Sequence, residues 1–305
     1  MAVNIKKIGS EELEKQKKYC QKVSSLLEKR YKNQDKPLAC VVTYGCQQNV
    51  ADSEHIKGML EEMGYGFTED RTQAKLVIFN TCAVREHAED RVFGNVGALK
   101  KYKLENPDVV IALCGCMMQQ KHIAEKIKKS FPFVDLVFGT HVVYKVPELI
   151  YDALTMRKRV FELPDVDGVI AEGIPVKRDN DRKAWIPIMY GCNNFCSYCI
   201  IPYARGPVRS EPLDAAVAQA RALAATGYRE IVITGIEIAS WGWDLKNGQT
   251  LTELAEALCT AVPNVRIRLG SLEPRIITRD FCLRLSRFPN LCPQFHLSLQ
   301  SGSDT

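Results

Sequence analysis

The sequence predicts an α/β protein built from two modules, an open parallel sheet first and a strand-helix barrel second. Three observations carry this. Short apolar runs alternate with longer helical patterns from residue 37 to about 155. The same alternation resumes at 184. Between the two, residues 156–183 hold little helical periodicity and a cluster of Asp, Gly and Pro, the composition of a linker or strap.

Residues 1–36 form a basic N-terminal extension with ten Lys or Arg against five Asp or Glu, an excess equal to the whole net charge of +5. A solvated helix is the plain reading and contact with RNA phosphate the functional one. In residues 37–155, LACVVT, KLVIFN, VVIALC and VDLVFG read as strands separated by stretches such as DSEHIKGMLEEMG, which is a Rossmann-like open parallel sheet. In residues 184–305, WIPIMY, EIVITG, VRIRLG and QFHLSL are four more strand candidates, with LDAAVAQARALAATG and TLTELAEALCTAV as helices between them. The last strand runs into QSGSDT with no helix after it, so this module is expected to be incomplete at Thr305.

Hydrophobic residues at 46% and charged residues at 25% are ordinary globular usage and exclude intrinsic disorder. A net charge of +5 is too small to establish a nucleic-acid partner by itself. No apolar run reaches the ~18 residues of a membrane span, and the opening MAVNIKKIGSEELEKQ lacks the apolar centre of a secretory signal. A cytoplasmic protein with no membrane partner is expected.

Twelve cysteines are many for such a chain, because cytosolic thiols stay reduced and a disulfide framework is improbable. Metal is the leading explanation. Cys192, Cys196 and Cys199 lie in YGCNNFCSYCIIPYARGPVRS, spaced four then three, directly after the first strand of the second module. Structural zinc takes four protein ligands, and no fourth Cys or His is near. A 4Fe-4S cluster held by three thiolates keeps one iron open for a substrate or cofactor. The competing view is that i, i+4 and i+7 share a helical face and merely fill a core. Gly191, Asn193, Asn194 and Pro202 favour a loop instead, and Tyr198 beside the last thiol is placed to shield a cluster from water.

Cys46, Cys82 and Cys116 are 36 and 34 residues apart, yet each follows an apolar strand and precedes a helical pattern. Strand ends of a parallel sheet point one way, so three such loops share an edge where ligands usually bind. The alternative is that buried cysteine is a common small hydrophobe. Cys114 competes for the third place, but it lies within its strand, whereas Gly115 before Cys116 suits a turn.

These segments resemble one family. YGCQQNVADSE, NTCAVREHAEDR, GCMMQ and VFGTH in the first module, with GCNNFCSYCIIPYARG in the second, are similar to the radical S-adenosylmethionine (SAM) methylthiotransferases over residues 37–305. The resemblance implies a truncated partial (β/α)6 radical-SAM barrel after the methylthiotransferase domain, and two 4Fe-4S clusters. One, on Cys192, Cys196 and Cys199, binds SAM through its open iron and cleaves it to a 5′-deoxyadenosyl radical. The other, on Cys46, Cys82 and Cys116, carries the sulfur that is transferred. Two SAM molecules are used, one for the methyl group and one for the radical. The implied partners are the tRNA anticodon stem-loop and an electron donor such as flavodoxin or ferredoxin, and a monomer is expected.

The acceptor implied is C2 of an N6-substituted adenosine next to the anticodon. YGCQQN, DSE and the strap RKRVFELPDVDGVIAEGIPVKRD resemble the isopentenyladenosine branch of the family. GPVRS, TGIEIASWGWDL and IRLGSLEPRIIT resemble the threonylcarbamoyladenosine branch instead. The longer continuous match favours the isopentenyl acceptor. A ribosomal-protein acceptor is a third reading.

Outside the six cysteines, Arg205 and Arg209 are candidates to clamp the SAM carboxylate or an RNA phosphate, with a loop-bracing ion pair as the alternative. Thr234–Glu237 follow the second strand of the barrel, where Glu237 is a candidate for the SAM amino group, and Gln300 and Ser301 are similar candidates after the fourth. His87 and His141 are expected to be structural, and Cys20, Cys40, Cys259, Cys282 and Cys292 to serve packing. Two rivals stand against the enzyme: an iron-sulfur electron-transfer protein and an inactive truncated form. Relay proteins usually close each cluster with a fourth thiolate, whereas SAM chelation needs the open position.

Overall fold

The computed structural model describes residues 6–32, 34–83, 86–156, 158–164, 169–170 and 173–303. It divides into two compact units, Met1–Lys177 with Cys196–Arg205, and Arg178–Phe195 with Gly206–Thr305. The sequence placed boundaries at 36, 155 and 183 instead. The difference arises because the leading helix and much of the strap pack within the first unit.

In chain order the first unit holds β1 (Lys6–Lys7), α1 (Ser10–Arg30), β2 (Leu38–Thr43), α2 (Gln47–Glu62), β3 (Gly66–Phe67), β4 (Leu76–Thr81), α3 (Glu86–Glu105), β5 (Val110–Gly115), α4 (Lys121–Ser130), β6 (Leu136–Phe138), α5 (Val146–Thr155), β7 (Val160–Glu162) and β8 (Val169–Ile170). Six strands make a parallel sheet in the order β3-β2-β4-β5-β6-β7, and β1 pairs with β8. Alternate residues of one strand face opposite sides. Leu76 and Ile78 join a core with Val23 and Leu27 of α1 and Ile56 and Leu60 of α2. Val77 and Phe79 join another with Val92 and Val96 of α3 and Ile123 and Ile127 of α4. Burial on both faces is why these strands read as unbroken apolar runs.

The basic extension is not a free arm. Helix α1 buries Gln16, Cys20, Val23 and Leu27, a four-three-four spacing that turns one stripe toward the sheet. Its Lys15 is 2.9 Å from Glu148 of α5. Strand β7 lies inside the stretch expected to be a linker, where Arg159 donates to the carbonyls of Val134 and Lys128.

The second unit contains β9 (Lys183–Tyr190), β10 (Arg209–Ser210), α7 (Leu213–Ala225), β11 (Glu230–Gly235), α8 (Leu251–Ala261), β12 (Arg266–Leu269), β13 (Ser271–Leu272), α9 (Arg279–Leu285) and β14 (His296–Leu297). Helix α6 (Ile201–Arg205) falls in the segment assigned to the first unit. Strands β9, β11 and β12 are parallel neighbours, with β10 antiparallel on the outer edge of β9. Ile186, Ile231, Ile233 and Ile267 pack beneath Leu254, Leu258 and Phe281. This is the strand-helix alternation of a partial barrel. The fourth expected strand, QFHLSL, narrows to two residues that pair with β13 and leave the main sheet, with Leu297 and Leu299 exposed. Among the described residues no helix is long and apolar enough to cross a membrane.

Candidate functional site

The chain runs from β2 outward to β3, then returns to place β4 on the other side of β2. At such a reversal, parallel sheets usually bind ligands beyond the carboxyl ends of the strands. Cys46 caps the start of α2 after β2, Cys82 directly follows β4, and Cys116 follows β5. Because β2, β4 and β5 are adjacent, the three cysteine loops emerge side by side at that edge of the sheet.

Two glycines let these loops close. Gly45 has φ +111, and a Cβ on it would lie 2.4 Å from the Cys82 Cβ and 2.9 Å from its Sγ. Gly115 has φ +95, and a Cβ there would lie 2.3 Å from the Thr81 carbonyl oxygen. Both positions need positive φ and close backbone approach, which only glycine supplies without strain.

Buried amides and hydroxyls then fix the edge. Asn80, a polar residue within an apolar strand, donates from Nδ2 to the Asn49 carbonyl at 2.8 Å and to Ser53 Oγ at 2.9 Å. Asn49 Nδ2 returns a bond to Asn80 Oδ1 and another to the Thr81 carbonyl, each 3.1 Å. Thr43 Oγ1 donates to Ser53 Oγ at 2.8 Å, and Thr81 Oγ1 to the Cys114 carbonyl at 2.5 Å. The Cys46 thiol donates to Asn49 Oδ1 at 3.2 Å. The network joins the first turns of α2 to the ends of β2, β4 and β5.

Cys46 is exposed, while Cys82 and Cys116 are buried, so the set has a solvent side and an interior side. Burial pushes the Cys116 thiol up to about 11; Arg205 opposes that rise, and charge on Cys46 and Cys82 adds to it. Arg205 Nε donates to Cys116 Sγ at 3.0 Å, and its Nη2 is 2.7 Å from Asp52 Oδ2. Among the described residues no three His, Cys, Asp or Glu side chains converge as a single-ion site requires. A four-iron cluster does not need such convergence, since each thiolate binds a different iron at the corner of a cube.

Residues 191–200 are not helical, which removes the reading of Cys192, Cys196 and Cys199 as filler on one helix face. Cys192 belongs to the second unit. Its amide donates to the Gly206 carbonyl at 3.1 Å, and its Sγ accepts from the Asn194 amide at 3.5 Å. Gly191 has φ +73 and could not carry a Cβ, which would sit 1.9 Å from the Pro207 carbonyl oxygen. Cys196 and Cys199 fall with the first unit, where the Cys199 amide donates to the Cys196 carbonyl at 2.9 Å. Tyr198, expected to shield a cluster, is instead 77% exposed because the loop turns it outward.

The remaining candidates separate. Arg205, offered for SAM or RNA, is committed to Asp52 and Cys116. Arg209 is buried and donates to the Pro207 carbonyl at 2.8 Å. Thr234 is buried in β11. Glu237 follows β11 and caps the next turn, accepting from the Ala239 amide at 3.0 Å and the Ser240 hydroxyl at 2.5 Å. Gln300 and Ser301 are exposed beyond β14. Cys20, Cys40 and Cys259 are buried, as packing residues should be, but Cys282 is exposed and Cys292 only partly covered. His141 is buried, and the His87 side chain lies outside the described residues. Sequence reasoning missed Asp52, Asn49 and Asn80. For Asn80 a signal existed, an amide inside an apolar run.

Residues 39–139 match the uncharacterized protein family UPF0004, and residues 186–305 match the radical SAM superfamily. A protein of Acetivibrio thermocellus named tRNA-2-methylthio-N(6)-dimethylallyladenosine synthase is 42% identical over 298 residues, covering 97% of this chain and 62% of the relative. The chain is similar to that synthase along nearly its whole length. Another similar protein, with the same name in Clostridium beijerinckii, is 44% identical over 278 residues, 91% of this chain and 61% of the relative. The chain thus spans about three-fifths of the length of these relatives. Among solved structures, the radical S-adenosylmethionine methyltransferase TsrM from Kitasatospora setae, with tryptophan substrate and a SAM analog bound, aligns with a TM-score of 0.53 at 14% identity. It covers 82% of this chain and 57% of that one, a likeness of fold.

Proposed function

We propose that this chain acts in tRNA modification, transferring a methylthio group to C2 of N6-isopentenyladenosine next to the anticodon. The observation that carries the reading is the emergence of Cys46, Cys82 and Cys116 on three adjacent strands, in a chain that also bears the Cys192, Cys196 and Cys199 loop. Each trio would hold a 4Fe-4S cluster with one iron left open. When bound, the cluster of the second trio supplies reductive cleavage of SAM, and that of the first carries the sulfur to be transferred.

The protein's own residues bind and orient. Gly45 and Gly115 bring the loops into contact, the Asn49 and Asn80 network holds them, and burial of Cys82 and Cys116 keeps water from one side. Glu237, Arg209, Gln300 and Ser301 remain candidates for SAM or RNA contacts. The names of the relatives favour the isopentenyl over the threonylcarbamoyl acceptor. The anticodon stem-loop is the partner, flavodoxin or ferredoxin the class of electron donor, and the protein is cytoplasmic and monomeric.

The test is mass spectrometry of tRNA from a strain deleted for the gene and complemented with its full-length form. Return of the 2-methylthio isopentenyl nucleoside supports the reading. Unmodified isopentenyladenosine after complementation, or methylthiolation confined to threonylcarbamoyladenosine, overturns it.

A further inference from the structure

Arg205 stands out because its side chain is 3% exposed, and a buried guanidinium is costly unless it is paired. Both partners lie in the same unit. Nη2 pairs with Asp52 Oδ2 at 2.7 Å, and Nε donates to Cys116 Sγ at 3.0 Å, although 89 residues separate the two in sequence. Asp52 is itself held by Gln48, whose Nε2 donates to Asp52 Oδ1 at 3.1 Å. The segment carrying Arg205 is moored by Thr140, whose hydroxyl donates to the Ala204 carbonyl at 2.7 Å. A thiol is a weak acceptor, whereas hydrogen bonds to an ionised acceptor are about twice as strong. The contact is matched to a cysteine that works as a thiolate.

The geometry points to Arg205, fixed by Asp52, as the positioning residue that sets the reduction potential of a 4Fe-4S cluster on Cys46, Cys82 and Cys116. This rests on the reading of those cysteines as ligands. Cluster potentials follow net charge and hydrogen bonds to the sulfurs. An N–H bond and a positive charge at Cys116 stabilise the reduced cluster, which carries one more electron. Asp52 places a negative charge behind the guanidinium and moderates that effect. The two partners therefore act in opposite directions on one quantity, which a purely structural ion pair would not do.

The experiment uses the full chain with Cys192→Ala, Cys196→Ala and Cys199→Ala, so that only the first cluster remains. After anaerobic reconstitution, the one-electron couple is titrated with dithionite and read by electron paramagnetic resonance, alongside iron content. Arg205→Met is expected to lower the reduced-to-oxidised ratio at the parent midpoint by about tenfold, a downward shift of about 59 mV. Arg205→Lys, which keeps the charge, shifts it less, and Asp52→Asn shifts it upward. Iron content stays near that of the parent in all three. Unchanged midpoints, or shifts of the same sign for Arg205 and Asp52 variants with iron retained, overturn the inference. Should Arg205→Met fail to fold, Arg205→Lys and Asp52→Asn decide by the same criterion. A Cys82→Ala variant in the same background separates the two layers: retained iron there defeats the ligand reading itself, while lost iron with unmoved midpoints defeats only the role of Arg205.

Discussion

Asn49 and Asn80 hold one another reciprocally, Asn49 Nδ2 on Asn80 Oδ1 at 3.1 Å and Asn80 Nδ2 on the Asn49 carbonyl at 2.8 Å. The pair fastens the first turn of α2, just after Cys46, to the end of β4, just before Cys82. Asn80→Ala leaves the buried Asn49 carbonyl and Ser53 hydroxyl without this donor, at a cost of about 1–3 kcal/mol. Denaturant unfolding should show that loss, and reconstituted protein should hold less iron at the first site.

Gly45→Ala should be more specific. Its added methyl would stand 2.4 Å from the Cys82 Cβ, at a φ of +111 that L side chains rarely adopt. The loop must move, and Cys82 with it. Iron bound by the first trio should fall by more than half while that of the second is unchanged, as read in the Cys192→Ala, Cys196→Ala, Cys199→Ala background and in the parent.

A pH dependence follows from Cys20, whose thiol is pushed up from 9.0 to about 12 by burial and then by the charge of Glu62. A pKa higher in the folded than in the unfolded chain contributes stability that is complete below about 9 and is lost as pH rises toward about 12. Unfolding free energy of the cluster-free chain should therefore decline across that window. The decline should be shallower in Cys20→Ala, and equal slopes for the two proteins would contradict the assignment.

Thr250 supplies a control in the second unit. It forms a capping box with Glu253 at the start of α8. Thr250→Ala should lower stability by about 1 kcal/mol and leave iron content unchanged in differential scanning and iron assays.

The legible parts of the fold are those with one continuous signal. Strands β2, β4 and β5 read as mainly apolar runs because their residues pack on both faces of the sheet. Strand β7 has three residues inside a Pro- and Asp-rich stretch, too few to show a period, so its segment reads as a linker. Helix α1 carries its buried stripe of Gln16, Cys20, Val23 and Leu27 beneath many lysines, and net charge hides the periodicity. At the candidate site, the three cysteines could be read as a set because a strand end followed by a helix repeats three times. The contact from Arg205 to Cys116 could not, since it is made by tertiary packing across 89 residues and no local pattern encodes it.

The central claim is that each trio holds its own four-iron cluster, and counting metal tests it most directly. Full-length chain reconstituted with iron and sulfide under anaerobic conditions should contain about eight irons, and Cys82→Ala or Cys196→Ala should each retain about half. Four or fewer irons in the parent, or a count unmoved by Cys82→Ala, would contradict the account.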